Sequence, residues 1–254
     1  MKLSPASTYK NRNNMQKTNT NTYRVGLHDG LAIGLGYLSV SFSFGIMASS
    51  LGIPFGYTLL ISMTNLTSAG QLAGISIIAS HGSYAEMALT QLIINLRYAL
   101  MSLSLSQKLD DSFNIFNRLA VSFGITDEVF ALASSRREDV GAKYMYGLIT
   151  LPYIGWTVGT ALGALAGSLL PEILRSALGI ALYGMFIAII VPPVKRRLRM
   201  LFVIGVAAGL SCLIYYLPAL GFISEGFSII ICTIVAASLA AVIFPVETED
   251  ADDE

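Results

Sequence analysis

The chain has 254 residues, of which 54% are hydrophobic and 13% charged, about half the charged fraction of an ordinary soluble domain. Sixteen acids and sixteen bases cancel to a formal net charge of zero, and their clustering in the tails and short connectors leaves long stretches nearly free of charge. This excludes a soluble globular domain and a nucleic-acid binder, and it points to lipid as the solvent for most of the chain.

The first 24 residues carry Lys2, Lys10, Arg12, Lys17 and Arg24 among Asn, Thr and Ser. No apolar run follows these charges before Val25, so they do not form a cleavable signal, and the stretch is expected to be a disordered, basic cytoplasmic tail. From there a transmembrane transporter domain is expected over 25–245, followed by an acidic cytoplasmic tail over 246–254.

A bilayer core about 30 Å thick requires about 20 apolar residues of helix. By that measure the spans fall at 25–49, 57–80, 85–106, 118–135, 144–170, 173–191, 200–217 and 227–245. The expected fold is therefore an all-α, polytopic membrane helix bundle of seven or eight segments, with broken or short helices among them. Lys and Arg mark cytoplasmic loops. Placing the N-terminal tail, the connector 136–143 and the basic cluster Lys195, Arg196, Arg197 and Arg199 all in the cytoplasm requires 118–135 to cross. Eight crossings with both termini inside then result. If 118–135 dips in and returns, the count is seven and the basic loops fall on opposite sides.

Taken in chain order, the first span carries a stripe of Gly30, Gly34, Ser41 and Gly45, and the fifth carries Gly155, Gly159, Gly163 and Gly167 at every fourth position. Such stripes let helix backbones approach closely in lipid, so these glycines are assigned to helix packing. GLAIGLGYLSVSFSFG in the first span loosely echoes GLITLPYIGWTVGTALG in the fifth, as an internal repeat would.

Polar residues at membrane depth point to function. In the second span, TNLTSAGQ (64–71) weakens the helix. Either the helix breaks there and Asn65, Ser68 and Gln71 line a substrate site, or these side chains merely bond to neighbouring helices. In the third span, Gln91, Asn95, Tyr98 and Ser102 share one stripe while Arg97 points roughly the opposite way. With polar groups on both sides, this helix is expected inside the bundle. Arg97 either receives a substrate carboxylate or forms an ion pair with a protein acid. Asn95 and Tyr98 join it as candidate binding residues.

The fourth span contains GITDEVFALA (124–133), with Asp127 and Glu128 as the only acids expected deep in a span. They are candidates for proton coupling or for pairing with Arg97, and Thr126 followed by two acids also reads as a helix start. His28, His81, Cys212 and Cys232 have no metal-ligand spacing; both cysteines are expected to be small buried hydrophobes and both histidines to lie near span ends. No phosphate-cradling loop and no nucleophile–base pair is present, so neither an enzyme nor a cofactor is expected.

The GYLSVSFSFG-like first span, SAGQ at 68–71, NLRY at 95–98 and GITDEVFALA together resemble the AzlC family of branched-chain amino-acid permeases, in order and spacing over about residues 25–245. Family members commonly have Phe after the Gln, where this chain has Leu72. The resemblance implies an exporter of the branched-chain amino acids leucine, isoleucine and valine in a bacterial inner membrane, working with a small AzlD-type membrane subunit. A channel or a carrier for another small solute is the alternative on the same helical framework.

Overall fold

A computed structural model describes residues 21–169 and 199–244, together with a few single positions between them. The tails and most of the sixth predicted span, 173–191, lie outside the described residues, as does part of the basic cluster at 195–199. The described residues fall into two compact units, one from the stretches 1–72 and 95–182 and the other from 73–94 and 183–254.

All the long elements are helical: α1 (Tyr23–Ser50), α2 (Phe55–Thr64), α3 (Ser68–Ala79), α4 (Tyr84–Ser106), α5 (Ile115–Phe123), α6 (Asp127–Ser135), α7 (Ala142–Leu169), α8 (Arg199–Tyr216) and α9 (Glu225–Ile243). Five of these, α1, α4, α7, α8 and α9, are long and apolar enough to span a membrane. The protein is thus a polytopic membrane helix bundle with broken and short helices.

The first unit is built on α1 and α7, which run parallel and in contact along their length. Gly26 and Gly30 meet the backbone of Tyr144 and Leu148, Gly34 meets Leu151 and Gly155, and Gly163 meets Phe42. A Cβ at any of these glycines would fall inside the van der Waals envelope of a backbone atom on the other helix. Nothing but hydrogen fits between the chains. Lipid gives helices no hydrophobic reason to associate, so dispersion across this close seam is what holds the pair.

Where α1 begins, the connectors close over a cluster of buried side chains that includes Leu105, Phe113, Val140, Tyr144, Met145 and Leu148. Asn21 donates to the Asp139 carbonyl at 2.8 Å, and Val140 exchanges backbone hydrogen bonds with Lys108 and Asp110. The start of α1 and the basic connector 136–143 therefore share one end of this unit.

The path of 118–135 differs from the expectation. Instead of crossing, it forms two half-length helices, α5 and α6, that enter and return at that same end. α5 starts beside Tyr146, whose hydroxyl reaches Asn117 at 3.0 Å, and ends with Phe123 against Tyr153. α6 starts beside Tyr37 and finishes at Arg136, 3.6 Å from Asp29 and stacked over the Tyr144 ring. Nine residues give each helix about 13 Å, less than half of a hydrocarbon core of about 30 Å. The turn between them is stable at mid-depth because Thr126 caps α6 through the Val129 amide and Ile125 is buried under the turn.

The start of α1 and the connector 136–143 nevertheless share one end of the first unit. The predicted span 57–80 is broken at Asn65–Leu66–Thr67 into α2 and α3. In α4, Arg97 lies level with the middle of α1 and Leu105 lies in the cluster where α1 begins. Within the first unit the part of α4 from Asn95 onward thus runs opposite to α1.

In the second unit, α8 and α9 are joined through a 3-10 turn at Pro218–Leu220, and Phe202 meets Phe244 edge to face at 5.5 Å. Cys232 is buried here, but Cys212 is exposed and so does not serve as a packed hydrophobe among the described residues.

Candidate functional site

Both interruptions are built in the same way. In the first, Asn65 Oδ1 accepts from the Thr67 amide at 3.0 Å, Thr67 Oγ1 accepts from the Gly70 amide at 3.2 Å, and α3 begins. In the second, Thr126 Oγ1 accepts from the Val129 amide at 3.4 Å and α6 begins. In each case a threonine satisfies one of the orphan amides at a helix start, and the residue before it, Leu66 or Ile125, is buried.

Two aromatic side chains from the parallel helices join the two breaks. Tyr37 of α1 and Trp156 of α7 meet edge to face with ring centroids 5.2 Å apart, and Leu66 packs against both. Trp156 Nε1 donates to Gln71 Oε1 at 3.2 Å. The Tyr37 hydroxyl donates to the Glu128 carboxylate. A continuous path thus runs from Gln71 through Trp156 and Tyr37 to Glu128.

Gln71 is 1% exposed and fully engaged: its Oε1 also accepts from Ser62 at 3.3 Å and its Nε2 donates to the Asn65 carbonyl. Ser62 in turn shares a 2.7 Å hydrogen bond with Thr160. In TNLTSAGQ the helix breaks between α2 and α3, and Gln71 bonds to Ser62 of α2 and to Trp156 of α7. Trp156→Phe keeps a ring but removes one donor. Because Ser62 still serves Gln71 Oε1, the expected loss is about 1 kcal/mol, to be read as a small fall in the unfolding midpoint in detergent.

Arg97 and Asp127 form an ion pair at 3.0 Å. The arginine also donates to the Tyr98 hydroxyl at 3.2 Å and lies over that ring. Arg97 is not deeply buried, contrary to expectation: its side chain is 46% exposed and that of Asp127 48%. Nor is α4 enclosed, since Leu92, Leu96, Leu100 and Leu103 all remain more than half exposed. Asp127 at the tip of α6 neutralises Arg97, and the exposed leucines suit contact with lipid.

The structure therefore brings Asn65, Gln71, Arg97, Tyr98, Asp127 and Glu128 into the first unit, with Ser68 opening α3 and Asn95 one turn before Tyr98 on α4. Gly155, Gly159, Gly163 and Gly167 lie apart from these groups, on the α1 seam. The sequence reading missed Tyr37 and Trp156, since an aromatic in an apolar run carries no signal beyond packing. It also missed the burial of Glu86, which is 4% exposed in the second unit although it stands in the first turn of α4. His28 is largely exposed beside Asp29, and among the described residues no cluster has the makings of a metal site.

Comparison with known proteins places these features. The AzlC protein family profile matches residues 32–170, a stretch that includes α1 from Ala32 onward, both interruptions and α7. An uncharacterized membrane protein of Archaeoglobus fulgidus is 31% identical over 208 residues, covering 81% of this chain and 91% of that protein. The inner membrane protein YgaZ of Escherichia coli is 27% identical over 183 residues, covering 69% and 75% respectively. An uncharacterized membrane protein of Helicobacter pylori is 28% identical over 142 residues, covering 54% and 61%. No solved structure matches.

Proposed function

Since the chain belongs to the AzlC protein family, we propose that it is a secondary transporter exporting leucine, isoleucine, valine and methionine across the bacterial inner membrane, with a small AzlD-type subunit as its partner. The observation that carries this reading is the pair of half-helices beginning at mid-depth, joined through Tyr37 and Trp156. Helices that start inside a membrane present amides and a positive dipole end where a transported solute can use them.

In this reading the apolar side chain of the substrate lies against Leu66, Tyr37 and Trp156, a cluster that is already apolar. Its carboxylate is received by Arg97, whose fork of donors Asp127 holds in place. Asn65, Ser68, Asn95 and Tyr98 supply the remaining polar contacts, Gln71 holds the break of α2 and α3 to α7 behind them, and Asp127 or Glu128 couples transport to protons. No chemistry on the substrate is involved, so the chain acts as a carrier and not as an enzyme. The end at which α1 begins carries Arg136, Arg137 and Lys143 and is assigned to the cytoplasm by their charge.

Cells fed leucine- or valine-containing dipeptides and expressing both subunits are expected to release the free amino acid faster than vector-only cells. Equal release rates would remove this substrate class. Unitary currents in a planar bilayer would replace the carrier with a channel.

A further inference from the structure

Glu128 stands second in α6, beside Asp127, and lacks the cationic partner that Asp127 has. Arg97 pairs with Asp127 at 3.0 Å, and among the described residues no Lys, Arg or His reaches Glu128. Its Oε2 accepts from the Tyr37 hydroxyl, which α1 delivers from near its midpoint, with Tyr37 itself only 8% exposed. Among the described residues no hydrogen bond is directed to Oε1, and the side chain is exposed at that level.

Fastening α6 does not require this carboxylate. At the start of the helix Thr126 provides the cap and Asp127 the acid that suits the dipole, and Asp127 also joins α6 to α4. At its finish Lys108 Nζ donates to the Ser134 carbonyl at 2.5 Å, and Arg136 lies 3.6 Å from Asp29. A lone carboxylate at membrane depth is costly. A buried phenol that orients one of its oxygens and leaves the other open makes it a directed acceptor for a cationic group.

We propose that Glu128 recognises the α-ammonium group of the substrate and so restricts the carrier to solutes with a free amino group, an assignment that rests on the export reading above. The ammonium donates an N–H to Oε1 while Tyr37, as a positioning residue, holds Oε2. Each part of an amino acid then has its own partner. The carboxylate goes to Arg97, the side chain to the cluster of Leu66, Tyr37 and Trp156, and the ammonium to Glu128. Of the two acids at the tip of α6, this leaves Asp127 for coupling to protons.

Displacement of labelled leucine from membranes of cells expressing both subunits tests the assignment, with unlabelled leucine and leucic acid as competitors. Leucic acid keeps the side chain and the carboxylate but carries a hydroxyl where leucine has the ammonium. The wild type is expected to prefer leucine. Glu128→Gln, whose amide oxygen can still accept from Tyr37, is expected to lose about ten- to a hundredfold of that preference, the equivalent of one hydrogen bond to a charged group. Glu128→Asp, which retains the charge, is expected to keep part of it.

A wild type that binds leucic acid as tightly as leucine overturns the assignment without any variant. So does a Glu128→Gln protein that weakens towards both ligands by the same factor or keeps the wild-type preference. Leucine binding that depends on sodium in the wild type but not in Glu128→Gln gives the carboxylate to an inorganic cation, and likewise overturns it. In all these cases the export reading stands. If wild-type membranes bind no leucine at all, both fail together.

Discussion

Gly163→Leu is expected to leave little or no folded protein in detergent, whereas Gly36→Ala, on the same pair of helices, is expected to be neutral or slightly stabilising. At Gly163 the space for a side chain is occupied by the Phe42 carbonyl group and Cα. Backbone cannot swing aside as the end of a flexible side chain can. The substitution must therefore part α1 from α7, losing contacts along the whole seam, at an expected cost of about 3 kcal/mol or more. At Gly36 nothing lies within 4 Å of an added Cβ, and alanine gains up to about 1 kcal/mol in helix propensity. Size-exclusion profiles and thermal unfolding of the two variants measure this contrast. Equal behaviour of the two would mean that the glycine seam is not what holds the unit together.

The second large effect is expected at Arg97. Between exposed groups in water a pair such as Arg97–Asp127 contributes about 0.2–1 kcal/mol. The pair lies level with Tyr37, however, which is near the midpoint of α1, so the comparison to make is with a lone charge at mid-bilayer, at about 2.5–3.5 kcal/mol. The second figure governs. Arg97→Ala and Asp127→Asn are each expected to abolish efflux and to lower the yield of folded protein several-fold. The double variant is expected to recover folding beyond either single one, because neither charge is then left alone. Additive losses in yield would show that the pair does not act as a unit. Amino-acid binding that survives Arg97→Ala unchanged would remove its proposed role with the carboxylate.

The features legible in the sequence were those set by local chemistry. Long apolar runs gave the helices, and the four-residue glycine spacing marked the face along which α7 meets α1. Thr126 followed by Asp127 and Glu128 read as a helix start, which it is. The direction of 118–135 was not legible, because an apolar run gives the length of a segment and not the side on which it leaves. Only contacts with Tyr146 at one end and Arg136 with Asp29 at the other show that it returns. Glu86 was missed for a related reason. It lies three residues into its helix, where an acid reads as an ordinary first-turn residue, and its burial is imposed by Ser224, 138 residues away.

The parallel pairing of α1 and α7 also bears on how the protein is made. Ser41 finds its acceptor, the Gly155 carbonyl, 114 residues later in the chain. At ordinary rates of synthesis that separation lasts on the order of ten seconds. Throughout that interval α1 is already in the membrane with its glycine face uncovered. A surface suited to close backbone approach will accept other small-residue helices, including the α1 of a neighbouring nascent chain. Substitutions that slow synthesis between α1 and α7 are therefore expected to raise misassembly without touching any native contact, as the share of aggregated chains in freshly made membranes would show.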